Sequence, residues 1–322
     1  QRSWTSSLCF EFTMLKEVKM MKLHWPAQIE EKIFLLGTHH FNSYLILGEQ
    51  YALIEAGVSC SAPYIIKQFE ELGLDPQRLA YIMVMHAHPD HVTGVPSLLE
   101  AFPRARVVGS ALAKKILSKE KAVRSFYDED FALTAALVAR GEVTRPPARP
   151  AGNTIPIHLT VKEGDELELG NGVCLKVLET PGHSLCSISV FCQPASALFI
   201  SDAGGFQSSP DCIFPCFFSG YQLYLESLQR LEQLKARILA PAHDAILTEE
   251  GQIHKFFQST TKVTKELKQY INDQLMFGQD TSEIIDRLVQ HYYRDNLSIY
   301  SRQNIQGCVA ALVKMAKEEI ME

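Results

Sequence analysis

The chain has 322 residues, a hydrophobic content of 46% and a formal net charge of −6. That length and apolar content suffice for one large α/β core with an appendage. The acid excess leaves no basic footprint for nucleic acid, and no apolar run approaches the ~20 residues of a membrane span, so neither partner is expected.

Residues 1–26 are expected to be a leader outside the fold. Glu11, Lys16, Glu17 and Lys19 interrupt the apolar core a signal peptide would need, and Met20 and Met21 read as start sites. The meander comes next, with strands expected at residues 33–36, 44–47 and 51–55. A helix over 63–72 ends at Gly73. A strand at 81–85, a helix at 95–101 and a strand at 106–108 follow. Residues 110–153 read as a helical insertion and lid, with 145–150, rich in Arg and Pro, as a stiff extended connector. Strands at 167–169, 173–178, 188–192 and 197–200 then repeat the scheme, with a helix at 222–234 and a strand at 238–240. Past Thr248 the periodicity turns helical, over 254–276, 282–292 and 301–320. The reading is an α/β domain over 27–250 and a helical extension over 251–322. Two mixed sheets packed together and covered by helices give a four-layer αββα sandwich.

The chemistry concentrates at the ends of strands. His86-Ala87-His88-Pro89-Asp90-His91 places three imidazoles and a carboxylate within six residues, on the loop after the 81–85 run. Imidazole and carboxylate suit zinc, manganese or iron(II). His183, Asp202 and His243 each follow a further apolar run, beside Gly, Pro or Ala, where backbone can approach a site closely. A lone histidine would more simply be a turn residue. Four repetitions of one arrangement point to a metal site.

These residues, in this order and spacing over residues 32–248, resemble the metallo-β-lactamase-fold hydrolase superfamily. The resemblance implies the αββα sandwich with metals at one edge. It implies one ion held by His86, His88 and His183, a second by Asp90, His91 and His243, and Asp202 bridging them. The chain looks closest to the subfamily of the Pseudomonas quinolone-signal response thioesterase, through residues 53–57, 122–124, 164–170 and 224–231 and the helical extension. Two positions depart from the superfamily pattern. Glu55 stands where Asp usually supports a metal-bound histidine, and Ala242 stands where Gly usually precedes the last ligand.

The function so implied is hydrolysis by a metal-bridging hydroxide, most simply of a thioester or ester, with a phosphodiester possible. Two divalent ions ~3.5–4 Å apart would lower the pKa of a shared water towards ~7. Zinc is the first choice, with iron or manganese as alternatives. Asp90 is the expected catalytic residue, orienting the nucleophile and passing a proton to the leaving group. Phe206, Phe214, Phe217, Phe218 and Tyr221 suggest a pocket for an acyl or aromatic group of a small-molecule substrate. His39, His40 and Asn42 are candidate supporting or substrate contacts. Two other readings stand beside this one. The first is a regulatory or interaction protein with incidental hydrolase activity. The second is a non-haem di-iron redox enzyme, although flavodiiron proteins typically place an acid at the position of His88 and add a flavodoxin domain, for which no counterpart is expected here. The insertion and the C-terminal helices are expected to shape the pocket, and the helices to offer a homodimer surface. The eight scattered cysteines read as free thiols in a reducing cytoplasm.

Overall fold

The apolar runs of the first half form strands buried on both faces. The structure, a computed structural model, describes residues 25–144, 152–209, 212–243 and 245–318. A seven-stranded sheet runs in chain order: β1 (Ala27–Glu30), β2 (Ile33–Gly37), β3 (Asn42–Leu47), β4 (Tyr51–Ile54), β5 (Leu79–Met83), β6 (Arg106–Ser110) and β7 (Leu159–Val161). Strands β2 to β4 pair antiparallel as the expected meander, β1 extends it antiparallel at its edge, and β4 to β7 pair in parallel.

The second sheet contains β8 (Glu166–Gly170), β9 (Val173–Glu179), β10 (Ile188–Cys192), β11 (Ala197–Ser201) and β14 (Ile238–Pro241), in the order β14-β11-β10-β9-β8. It does not repeat the first. Its single parallel pair is β11 with β14, and its other pairs are antiparallel. Between β11 and β14 the chain makes a small hairpin, β12 (Phe206–Ser209) and β13 (Cys212–Phe214). This hairpin was not expected, nor were β1 and β7. All four strands have only three or four residues, too few to show a period.

Alternation along each strand sorts side chains into three apolar layers. Tyr44, Ile46, Ala52, Ile54, Met83 and Met85 face between the sheets, against Leu175, Val177, Val190 and Phe199 of the second sheet. Leu45, Leu53, Ile82 and Val84 point the other way. They meet helices α1 (Ala62–Glu71), α3 (Val95–Ala101), α4 (Ala111–Leu117) and α5 (Glu120–Ala139). On the far side of the second sheet, Leu198, Ile200 and Leu239 pack under α6 (Tyr221–Gln233), α7 (Glu250–Met276), α8 (Thr281–Tyr292) and α9 (Arg302–Glu318). The expected αββα sandwich is therefore present, with the C-terminal helices sharing one apolar cluster with its outer face.

The expected leader falls mostly outside the described residues, as do the 145–150 connector and Asp244. Trp25, placed in that leader by the sequence, packs against the inter-sheet core. The seven described cysteines are free. Among the described residues no helix is long and apolar enough to cross a membrane.

Candidate metal centre

The site forms where strands of both sheets end at one edge. Beyond β5, Val84 and Met85 stay buried and deliver His86 to the edge. His88 then precedes a helical turn, α2 (Pro89–Val92), so Asp90 and His91 sit on a turn of helix and not on the expected loop. Pro89 has the fixed φ and missing N–H that suit a first helical position, and Asp90 complements the positive end. In the second sheet, β9 runs out into Thr180-Pro181-Gly182 before His183. Gly182 has φ +132°, and a Cβ there would lie 2.4 Å from Tyr224 Cα, so only glycine lets this turn approach α6. Asp202 follows Ser201 at the end of β11, and His243 follows β14.

The structure brings all seven expected ligands together in two adjoining groups: His86, His88, His183 and Asp202, then Asp90, His91 and His243. In the first group His86 Nε2, His88 Nδ1 and His183 Nε2 lie 2.9–3.1 Å from one another. Three imidazole nitrogens meeting at one point cannot all be satisfied by sharing protons among themselves. Asp202 Oδ2 lies 3.7 Å from His86 Nε2, 3.4 Å from His183 Nε2 and 3.2 Å from His91 Nε2. Its Oδ1 lies 3.5 Å from His243 Nε2. Asp90 Oδ2 is 3.6 Å from both His91 Nε2 and His243 Nε2.

These distances are those of donors around a cation. Ligand bonds of ~2.0–2.1 Å in a tetrahedron put neighbouring donors ~3.3–3.4 Å apart. His91 Nε2, His243 Nε2 and Asp202 Oδ1 are buried and make no hydrogen bond, although carboxylate oxygens lie near the two imidazoles. Orphaned buried groups of this kind are costly unless something completes them. The donor set therefore fits two divalent ions.

Three of the outward nitrogens, those of His86, His91 and His243, are held by the protein, which sets the tautomer of those rings. His86 Nδ1 meets Ser201 Oγ at 3.1 Å, and His243 Nδ1 donates to the His40 carbonyl at 2.8 Å. His91 Nδ1 meets Glu55 Oε2 at 2.9 Å, with both side chains buried. Glu55 thus reaches its histidine despite the extra methylene. Its backbone adopts φ 68°, a left-handed conformation that is strained for a side chain of this size. Ala242 is accommodated in the last ligand's loop. Its carbonyl accepts from Asn42 N at 2.8 Å, while Asn42 Nδ2 and Tyr44 Oη donate to the Pro241 carbonyl at 3.1 and 2.5 Å.

The field inside the cluster is strong. Burial, reinforced by neighbouring imidazoles, holds His86 well below its ordinary pKa. Burial also drives His183 down to about 3, against the pull of Asp202. His91 goes the other way: burial opposes its charge, but Asp202, Glu55 and Asp90 together hold it well above the usual range. Burial would raise both carboxyls, yet His91 and His243 keep Asp90 below, and Asp202 well below, the ordinary value.

A cavity of about 730 Å³ opens on the cluster. His88, Asp90, His183, Asp202 and His243 form its floor, and Phe206, Phe214 and Phe218 one wall. Phe218 lies against His183 and Phe206 against His243, with centroids 5.2 and 4.8 Å apart. Phe217 is instead fully buried in the core, and Tyr221 on α6 lies under the Lys268 ammonium, 4.0 Å from its ring centre. His39 is exposed, does not line the cavity and stacks edge-on with Trp25. The His40 side chain bonds Glu142 of the insertion at 2.6 Å, so its support of the cluster is through its backbone.

The expected lid and extension also line the cavity. Residues of α5 such as Phe126, Glu129 and Leu133 face it, and so do Tyr300 and, from α9, Asn304 and Cys308. Asn304 Nδ2 donates to Glu129 Oε2 at 2.8 Å, joining the two segments, and Arg140 reaches the Ser298 carbonyl at 2.6 Å. The sequence missed Ser201 and Tyr300. Ser201 adjoins a ligand at a strand end, a position that could have marked it. Nothing local marks Tyr300.

A family model described as the metallo-beta-lactamase superfamily matches residues 37–243. The putative diflavin flavoprotein A 2 of Synechocystis is 26% identical over 272 residues, which are 78% of this chain but only 40% of that protein. The metallo-beta-lactamase fold-containing protein ST1585 of Sulfurisphaera tokodaii is 27% identical over 218 residues, covering 64% of this chain and 73% of its own. Among solved structures, the metallo-beta-lactamase family protein TTHA1429 from Thermus thermophilus superposes with a TM-score of 0.62 over 91% of this chain and 95% of that one. At 18% identity it speaks to the fold alone. With the sandwich, the edge cluster and the family match in agreement, the chain belongs to the metallo-beta-lactamase superfamily.

Proposed function

We propose that the chain is a binuclear metal-dependent hydrolase acting on a small-molecule ester or thioester. The observation that carries this reading is Asp202, whose two oxygens face the imidazoles of both donor groups. His86, His88 and His183 would hold one ion, Asp90, His91 and His243 the other, and Asp202 both. When bound, two such ions lower the pKa of water towards ~7 and polarise a carbonyl oxygen. Asp90 orients the attacking water and can hold a proton on its way to the leaving group. Phe206, Phe214 and Phe218 give the acyl side of the substrate an apolar wall and exclude bulk water from one side. A donor set rich in imidazole suits zinc.

A second reading has one specific support. Relatives named as diflavin flavoproteins favour iron and redox chemistry, and imidazole with carboxylate also suits iron(II). Elemental analysis of protein purified without chelator, beside acyl-thioester, ester and phosphodiester panels and an oxygen-consumption assay, separates the two. The hydrolase reading expects about two zinc ions per chain and turnover of a thioester or ester. Fewer than two ions under replete conditions would sink the binuclear site. Iron with oxygen consumption and no hydrolysis would replace it with the redox reading.

A further inference from the structure

Asp90 takes its hydrogen bond from the C-terminal part of the chain. Tyr300 Oη donates to Asp90 Oδ2 at 2.7 Å, across 210 positions of sequence. That same oxygen lies 3.6 Å from both His91 Nε2 and His243 Nε2. A carboxylate turns about a broad, roughly two-fold torsion, so packing alone sets its orientation weakly. The phenol therefore selects which oxygen faces the two imidazoles and at what angle.

Tyr300 is itself firmly held. Its carbonyl accepts from Tyr293 Oη at 3.1 Å, and its ring meets Phe206 edge-on at 6.0 Å. Leu297 and Ile299, just before it, are 2% and 1% exposed. The residue lies beyond the 37–243 stretch that matches the family model, so the support comes from this chain's own extension.

We propose that Tyr300 is a positioning residue for the Asp90, His91 and His243 group, acting through Asp90. The proposal rests on the binuclear reading. It implies that the C-terminal helices complete the metal centre as well as walling the cavity. Partners one step removed from the ion commonly change metal affinity or activity by ~10–100-fold.

The test is Tyr300→Phe in the full chain, which keeps the ring and its packing and removes only the hydroxyl. Zinc affinity is read by competition with a chromogenic chelator, as two successive constants, together with the visible spectrum of the cobalt-loaded protein and a thermal melt. The expected result is a melt close to wild type, one ion bound within about threefold of wild type, and the other weakened by about tenfold or more. The cobalt spectrum should change for that weakened ion alone. Unchanged constants for both ions would overturn the proposal. So would an equal fall in both, which would mark general loosening. If wild type itself binds fewer than two ions, the binuclear reading fails first and takes this proposal with it.

Discussion

Asp202 differs from the other six clustered side chains because neither of its oxygens is idle. Four imidazole nitrogens lie 3.2–3.7 Å from them. Truncation removes the group that faces both donor sets and a negative charge that would offset the two cations of the proposed centre. Asp202→Ala is expected to lose at least one ion by plasma emission analysis and nearly all hydrolysis, with a folded circular dichroism spectrum. Full turnover in that variant would contradict the bridging role. The seven clustered side chains were legible in the sequence for a local reason. Four lie within six residues, and three follow apolar runs and stand beside Gly, Pro or Ala. Tyr300 was not legible, because its role is a contact across the fold and its neighbours Ser298, Ile299 and Ser301 carry no pattern that announces one. The support of His243 by the His40 carbonyl was equally hidden, since a backbone acceptor leaves no trace in residue identity.

At the scale of elements, α5 is fastened to the metal edge by one buried acid. Asp130 Oδ1 accepts from Ser59 N at 2.9 Å and from Thr93 Oγ1 at 2.6 Å, and Oδ2 accepts from Ser59 Oγ. Thr93 caps α2, which carries Asp90 and His91. Burial pushes the Asp130 carboxyl up even against these bonds. Asp130→Ala leaves buried donors without their acceptor and should cost about 1–3 kcal/mol in urea unfolding. Because the loss falls next to α2, zinc retention under mild chelation should fall too. A variant as stable and as metal-tight as wild type would show that the Asp130 bonds do not couple α5 to the metal edge. The long elements were read well from sequence because apolar periodicity over ten or more residues averages out local noise. Short strands that follow one clear apolar run, such as β4 and β11, were read too, whereas β1, β7, β12, β13 and the turn α2 were not. Strands β12 and β13 and the turn α2 owe their form to neighbours and to Pro89 more than to any run of their own.

For the whole molecule, the helices past residue 249 are structural. Leu267, Ile271, Ile284, Leu288, Val309 and Leu312 belong to one buried cluster with Leu198, Ile200 and Leu239 of the second sheet. Deleting them would bare that face, so point variants are the better probes of the cavity. One group in this layer gives stability a pH dependence. Burial, helped by Arg294, lowers His291 from 6.5 to about 4. Below pH ~6.5 the unfolded chain takes up a proton that the folded chain refuses, so stability falls with pH until about 4. His291→Gln should lose less stability than wild type between pH 7.5 and 4.5, as read from urea midpoints. Equal losses would show that His291 is solvated in solution.

The metal cluster also has a mechanical meaning. His86, His88, Asp90 and His91 follow a strand of the seven-stranded sheet, whereas His183, Asp202 and His243 follow strands of the five-stranded one. Elsewhere the two sheets meet mainly through apolar side chains, which resist separation but tolerate sliding, with a few polar ties such as Tyr44 Oη to the Pro241 carbonyl and Ile188 N to the Met85 carbonyl. Ions shared across the seam would act as a clasp along one edge, turning a greasy contact into a hinge with a pin. Stripping them should let that edge breathe before the rest of the protein loosens. Amide exchange would then quicken first at residues 84–93, 180–184 and 201–205, with the meander β1 to β4 still protected. Uniform quickening across both sheets would mean that the ions serve chemistry alone.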